Sequence, residues 1–433
     1  MNNKTTFIAT GDSFMTRCLP VNGYEGFHEL KEIIRGHDVK FNNLEITIHN
    51  REGYPSAISG GTWAMANPEI LDNLKEYGFN LYNTANNHSG DFSHGGLLAT
   101  IRHLRERNML YAGTGEHLAD AAAPAYLETK NARVAMIGTC SSFNKSDAAG
   151  NQSMTLSGRP GLNPLRYHKI FNVEEKYYNM LKEVADKTDM NASMNLTIKN
   201  GYALPLPDGE LYFDGMFFRL ANENAIHTKP MKKDMDRIIA NIQDARQQAD
   251  YVLVSVHSHE FSGTNVTEPA EFLRIFAHAC IDAGADVILG HGPHELRGIE
   301  IYNGKVIFYS LGNFIFQTET VSLQPADAYE NTYMPYTTMV GEYMNMRSKN
   351  GTSGYVVQPN IWRSVMASFT AEDGEIVEVK LYPISLGMEL PRSRRGFPRL
   401  FYNNEVLEYL EKLSKPFGTK FKIDDGVAMV KLK

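Results

Sequence analysis

The stretch ADVILGHGPHELRG, residues 285–298, carries an apolar strand pattern straight into a turn that holds His291 and His294. Four other stretches end in the same way. Gly11-Asp12 follows FIAT, Asn42-Asn43-Leu44-Glu45 follows VKF, Asn86-Asn87-His88 follows FNLYNTA, and His257-Ser258-His259-Glu260 follows YVLVSV. Carboxylates can bridge two cations, an Asn carbonyl supplies a neutral oxygen, and neutral imidazoles supply nitrogens. That mixed donor set suits a divalent transition metal such as zinc, manganese or iron, whereas calcium takes oxygens alone. One ion, or two about 3.5 to 4 Å apart, would clamp an oxygen substrate and turn water into hydroxide near neutral pH. The expected chemistry is hydrolysis. Taken singly, a strand-end histidine such as His257 or His291 is more often a hydrogen-bonded structural residue, and Asp12 after a glycine is a common turn residue. Five ligand-bearing strand ends together make the case for a site.

For those residues to meet, the strands must bring their carboxyl ends together, as open α/β sheets do where they bind ligands. The patterning supplies such strands. TTFIAT and DVKFNNLEI read as strands, NPEILDNLKEYG as a helix with Ile70, Leu71 and Leu74 on one face, and GGLLATIRHLRERN as a second helix. RVAMIGTC, DYVLVSVH, ADVILGHGPH and KVIFYSLGNFIF read as further strands, with KKDMDRIIANIQDARQQ and EPAEFLRIFAHACIDAG as helices between them. His278 and Cys280 fall in the last helix beside Phe272, Leu273, Phe276 and Ile281, so packing accounts for them. His94 and Asp91 lie close enough to His88 in sequence to reach its pocket.

Residues 167–230 break the α/β alternation and read as an insertion: a helix, then a hairpin turning at Pro207-Asp208-Gly209. Residues 318–360, rich in Tyr, Asn, Thr and Met, read as a long surface loop. The tail adds a hairpin around Glu372-Asp373-Gly374-Glu375 and a helix in NEVLEYLEKLSKPFG. One domain over residues 1–390 is expected, with residues 391–433 packed on it as an extension.

The 433 residues, 42% of them hydrophobic, are enough for a large core. A net charge of −7 gives no general attraction for nucleic acid, so an anionic substrate needs a local site. Three scattered cysteines, Cys18, Cys140 and Cys280, read as buried thiols of a reducing compartment. The sequence shows neither a signal segment before the first strand nor a run of ~18 apolar residues for a membrane span. The expectation is a cytoplasmic protein without a membrane partner.

ATGDSFM, NNLE, ANNHSGD, VSVHSHEF and GADVILGHGPHELRGIEIYNGKVIFYSLGNFIF, in this order, resemble the CapA family of poly-gamma-glutamate capsule synthesis proteins. SGGTWAMANPEILDNLKEYGFNLYNTANNH and GRPGLNPLR add to the likeness, which covers roughly residues 5–316. The resemblance implies an α/β protein of calcineurin-like metallophosphoesterase fold: a central β-sandwich flanked by helices, with metals at the strand ends. It also implies roles. Asp12 would bind one metal, Glu45 would bridge, Asn87 would bind metal, and His88 would contact substrate or protonate a leaving group. His257 would bind the second metal, and His291 and His294 would match the paired terminal histidines. Three departures stand out. Phe14 occupies the position of an expected histidine after Asp12, Glu45 replaces an aspartate, and Gly290-His291-Gly292-Pro293-His294 is one residue longer than the family's closing motif. His259 adds an imidazole near His257, as a replacement ligand or a general acid.

For an anionic substrate, Arg159 and Arg166 in GRPGLNPLR offer guanidinium forks. The loop Ser59-Gly60-Gly61-Thr62-Trp63 offers backbone amides and a stacking ring, and Arg392, Arg394, Arg395 and Arg399 could hold an anionic polymer. The leading expectation is a metal-dependent hydrolase of a phosphoester or a gamma-glutamyl-like amide. The alternative is a non-catalytic accessory of capsule synthesis that binds an anionic polymer.

Overall fold

The computed structural model describes residues 4–432, and two β-sheets form their centre. In the larger, ten-stranded sheet, Lys4–Phe14 is the pivot: it runs parallel to Val39–Leu44 and antiparallel to Arg363–Glu372. Leu81–Asn83 and Tyr111–Ala112 extend the parallel side. In the six-stranded sheet Tyr251–His257 runs parallel to Arg133–Cys140 and Val287–His291, and Lys305–Leu311 pairs parallel to the latter.

Period-two alternation explains how these strands stack. Phe7, Phe41 and Leu81 of the larger sheet meet Val134, Met136, Leu253, Val287 and Leu289 of the smaller in one buried layer. The alternate residues point outward. Ile8 joins Leu30, Ile34, Ile70 and Leu74 of the helices Phe27–Arg35 and Glu69–Tyr77. Val252, Val254 and Ile288 join Ile238, Ile242 and Phe276 of the helices Lys232–Gln248 and Glu271–Asp282. The result is a β-sandwich with helices on both outer faces, a mixed α/β architecture. Among the described residues no helix is long and apolar enough to cross a membrane.

Four local expectations need correction. KVIFYSLGNFIF is two strands: Lys305–Leu311 belongs to the smaller sheet, and Asn313–Phe316 pairs with the pivot strand of the larger. Gly312, at φ 72°, makes the turn between sheets that a side chain would strain. In the 167–230 segment, a four-stranded sheet and two helices form, and the tight hairpin turns at Asp214-Gly215, both with positive φ. That is the type I′ requirement, which Pro207, with its fixed negative φ, fits poorly. Residues 318–360 are not a plain surface loop: they include the helices Ala326–Glu330 and Val340–Arg347, with Tyr329, Tyr343 and Met344 buried. Cys18 is exposed, whereas Cys140 and Cys280 are buried.

The tail hairpin turns at Asp373-Gly374, and the helix forms at Asn404–Ser414, capped by the Asn403 side chain. Two further strands, Phe421–Asp424 and Val427–Val430, then join the edge of the larger sheet.

Candidate metal centre

Along the layer between the sheets, side chains change from apolar to polar where the strands end. Phe41 is followed on its face by Asn43, Leu253 by Ser255 and His257, and Leu289 by His291. The strand registers place Asp12 beside Asn43 and Asn313, and His257 beside His291. Glu45 follows Val39–Leu44 by one residue, and its backbone N–H is fixed on Ser13 O at 3.2 Å. Gly292 turns the chain between His291 and His294 at φ 120°, where a Cβ would lie 2.9 Å from Ser258 N.

The side chains meet in a closed space. Asp12 Oδ1 lies 3.6 Å from both His257 Nδ1 and His291 Nδ1, and its Oδ2 lies 3.7 Å from His294 Nδ1. Glu45 Oε1 lies 3.7 Å from His257 Nε2, 3.8 Å from His294 Nε2 and 4.0 Å from His88 Nε2. His259 Nε2 is 3.1 Å from His257 Nε2. Among the described residues three groups bring donor atoms within 4.8 Å of one another: Asp12, His257 and His291; Glu45, His257 and His259; and Asp12, Glu45 and His294. The carboxylate-to-imidazole separations are too long for hydrogen bonds. They are close to the ~3.4 Å between donors that share one tetrahedral ion at about 2.1 Å.

Neighbours outside these groups orient them. Asn43 Nδ2 donates to Asp12 Oδ1 at 2.7 Å, and Asn83 Nδ2 donates to Asn43 Oδ1 at 2.7 Å, fixing that amide. Gly292 N donates to Asp12 Oδ2 at 3.0 Å. Ser255 Oγ engages His291 Nε2 at 2.8 Å, which leaves Nδ1 aimed inward. Asn313 donates its amide to Ile361 O and His294 O, so its Oδ1 accepts from His294 Nδ1 at 2.9 Å and frees Nε2 toward Glu45. Arg297, wholly buried, donates to the carbonyls of Ser258 and His259 and holds that turn.

Burial governs protonation here. It raises the Asp12 carboxyl to about 7, against the hydrogen bonds from Gly292 and Asn43 that oppose it. Burial first, and then the charges of Asp12 and Asp91, push Glu45 well above the usual carboxylate range. Burial holds His291 down to about 3 and His294 to about 4. His257 and His259 are held well below the ordinary imidazole value by burial and by neighbouring imidazoles. Neutral imidazoles keep a lone pair for a cation, and the carboxylates lack a counter-charge that a cation would supply. Both Glu45 oxygens are buried without a hydrogen-bond partner, as is Asn87 Oδ1. Unpaired buried oxygens of this kind are costly and rare, so the donor set fits a divalent ion on a measure independent of the distances.

A pocket of about 320 Å³ opens above this floor. His88, His259 and His294 line its base, and His88 Nδ1 donates to Asp91 Oδ2 at 2.7 Å. Asp91 also accepts from Gly60 N and Ala64 N, so one carboxylate fixes both the imidazole and the 59–63 loop. Phe14, where the family resemblance leads one to expect a histidine, lines the wall with its ring edge-on to His88 at 5.2 Å. Met344, Arg347 and Tyr355 close the other side.

The residues expected to bind substrate lie elsewhere. Arg166 forms two hydrogen bonds with the buried Asp234, at 2.8 and 2.7 Å, and Arg159 donates to Ala148 O. Trp63 is buried with Nε1 on Ser56 O, and Ser59 Oγ accepts from Gly61 N; their neighbours Gly60, Gly61 and Thr62 line the pocket instead. Arg392 and Arg395 grip Glu319, and Arg399 packs over Tyr24, so three of the four arginines in that loop are engaged within the fold. His94 is exposed, near Ser146 O. Sequence reading named Asn43 at its strand end without a role and passed over Asn83, Ser255 and Asn313, although the polar switch on one strand face marked them. Arg347 and Tyr355 carried no such signal.

The model of the family "Bacterial capsule synthesis protein PGA_cap" matches residues 6–318, from the pivot strand to just beyond Asn313–Phe316. Uncharacterized protein y4uA of Sinorhizobium fredii is 35% identical over 445 residues, covering 99% of this chain and 93% of the relative. Capsule biosynthesis protein CapA of Bacillus anthracis is 27% identical, covering 73% of this chain and 60% of its own length. PGA biosynthesis protein CapA of Bacillus subtilis is 26% identical, covering 67% and 56%. Every residue of the floor lies inside the matched stretch, and the chain belongs to the bacterial capsule synthesis protein PGA_cap family.

Proposed function

We propose that this protein is a metal-dependent hydrolase of calcineurin-like architecture that acts on a phosphoester or a gamma-glutamyl-like amide in capsule or polyglutamate metabolism. The capsule context comes from the names of its relatives, and the polyglutamate context from the resemblance of its motifs to the CapA family. The observation that carries the chemistry is Glu45, a fully buried carboxylate with no hydrogen-bond partner, facing His257, His294 and His88. Asp12, Glu45, His257, His291 and His294 would hold one or two ions, with His259 and the Asn87 carbonyl at the margin. A divalent transition metal supplies Lewis-acid polarisation of a substrate oxygen and lowers the pKa of water. His88, held by Asp91 with Nε2 toward Glu45, is placed to move a proton to a leaving group. Burial and the neighbouring imidazoles keep His259 neutral, with a lone pair to offer a cation as the replacement ligand.

A second reading has one observation in its favour. Phe14 stands where a ligand is expected, so one metal position has lost a donor, and a pocket retained only for binding an anionic polymer accommodates that loss. Elemental analysis of the purified protein beside a His291→Ala/His294→Ala variant separates the readings. The hydrolase reading expects one or two equivalents of transition metal in the wild type, their loss in the variant, and metal-dependent turnover of aryl phosphates or gamma-glutamyl amides. Absence of metal after exposure to zinc, manganese and iron overturns it, and tight polyglutamate binding without turnover establishes the accessory role.

A further inference from the structure

The pocket above the histidines has a charged group that the hydrolase reading does not use. Two charged side chains besides the histidines line it, Glu319 and Arg347. The charge of Glu319 is matched by Arg392 at 3.2 Å and by Arg395. Arg347 has no carboxylate within ion-pair distance among the described residues. Its guanidinium instead donates to two neutral oxygens, Thr62 Oγ1 and Gly61 O, and lies 5.7 Å from the ring centroid of Tyr343. Those contacts steer the group across the pocket mouth without neutralising it. The helix that carries it, Val340–Arg347, is anchored by the buried Tyr343 and Met344, and Met344 also lines the pocket. Arg347 lies beyond residues 6–318, outside the stretch shared with the family model.

We infer that Arg347 selects substrate by charge: it binds an oxyanion, carboxylate or phosphate, that is distinct from the group attacked at the histidine floor. The substrate therefore has two ends, a scissile ester or amide over His88 and His294 and a second anionic group at the mouth. A guanidinium fork suits either oxyanion, and a charge-assisted pair at a partly exposed site is worth about tenfold or more in affinity. The inference rests on the hydrolase reading for the scissile end of the substrate.

Matched substrates test it on the metal-loaded full chain. Phenyl phosphate, 4-carboxyphenyl phosphate and 1,4-phenylene bisphosphate vary the second group on a phosphoester. Pentanoyl- and glutaryl-4-nitroanilide do so on an amide. For whichever series turns over, kcat/KM should favour a member with the second anion at least tenfold, mostly through KM. Arg347→Ala should collapse that ratio toward one, and Arg347→Lys should restore part of it. The carboxylate and bisphosphate members show which oxyanion is preferred. A ratio near one in the wild type, or one that survives in Arg347→Ala, overturns the inference while leaving the hydrolase reading intact. If neither series turns over, the hydrolase reading fails separately, and calorimetric titration of glutarate and inorganic phosphate decides. Binding weakened at least tenfold in Arg347→Ala supports the inference; equal affinity, or no binding to the wild type, overturns it.

Discussion

Asp12, Glu45, His257 and His291 stand at strand ends, and no more than 1% of any of them is exposed. Arg347 and Tyr355, on the opposite side of the same pocket, come from short helices and turns between residues 318 and 362, where Tyr333, Tyr336 and Met339 are more than 70% exposed. The floor takes its positions from hydrogen-bonded strands in two packed sheets, so each donor is held by a register as well as by its own contacts. The roof is held by a few apolar anchors, Tyr329, Tyr343, Met344 and Trp362. Segments with so few buried contacts open more readily and tolerate more change than strands in a core. On the proposed reading, chemistry belongs to the rigid side and substrate choice to the adaptable one.

The largest blow to the floor is loss of a residue shared between donor groups, as in His257→Ala: like Asp12 and Glu45, His257 belongs to two of the three. Metal content should fall by at least one equivalent and turnover by ~100-fold or more, with the roof unaffected. Unchanged metal by elemental analysis would mean that the floor is not the metal centre. Asp91→Asn should lower kcat by about 100-fold while metal stays bound, since the His88 ring loses its carboxylate. Equal losses of metal and kcat would instead place His88 among the ligands.

Gly292→Ala should cost about 1 to 3 kcal/mol, read from thermal unfolding, because its φ and the Ser258 backbone both oppose a Cβ. A wild-type melting temperature would show that the His291–His294 turn is less rigid than its register implies. Arg166→Ala is expected to be milder. It strips a partner from the buried Asp234, which keeps Arg237, and should cost about 1 kcal/mol with KM unchanged. A raised KM would return Arg166 to the substrate site.

A different kind of effect is a slope with pH. Burial holds the His49 imidazole down to about 4, and its Nε2 has no partner. The unfolded chain protonates this ring near 6.5, so between pH 6.5 and 4 the folded state binds fewer protons. Stability present above pH 6.5 should therefore be lost as pH falls through that window. Calorimetry of wild type against His49→Gln isolates this contribution: the variant should show the shallower loss, and parallel curves would refute it.

Much of the floor could be read from residue order. A strand that ends in a ligand type is a local feature, visible in VILGH, YVLVSVH and VKFNNLE alike, and a shared polar switch on one face follows from period-two geometry. Of the four outer-face helices, Glu69–Tyr77, Lys232–Gln248 and Glu271–Asp282 were equally legible from their apolar spacing, whereas Phe27–Arg35 was not read. What sequence could not supply were relations between distant residues. Arg166 looked unpaired until the fold placed Asp234, 68 residues away, against it. Arg392 and Arg395 looked like a basic surface until Glu319 closed on them.

The expected turn was Pro207-Asp208-Gly209; Asp214-Gly215 is a turn sequence too, and only strand pairing singles it out. KVIFYSLGNFIF looked continuous because a switch between sheets at Gly312 leaves the apolar run unbroken. By itself, the sequence determined the α/β elements, the donor types and their places at strand ends, since these depend on local periodicity. Only the tertiary structure decided which donors share a space, which arginines are already engaged, and that residues 318–360 roof the pocket. Those outcomes depend on packing between segments far apart in the chain, and no local pattern encodes them.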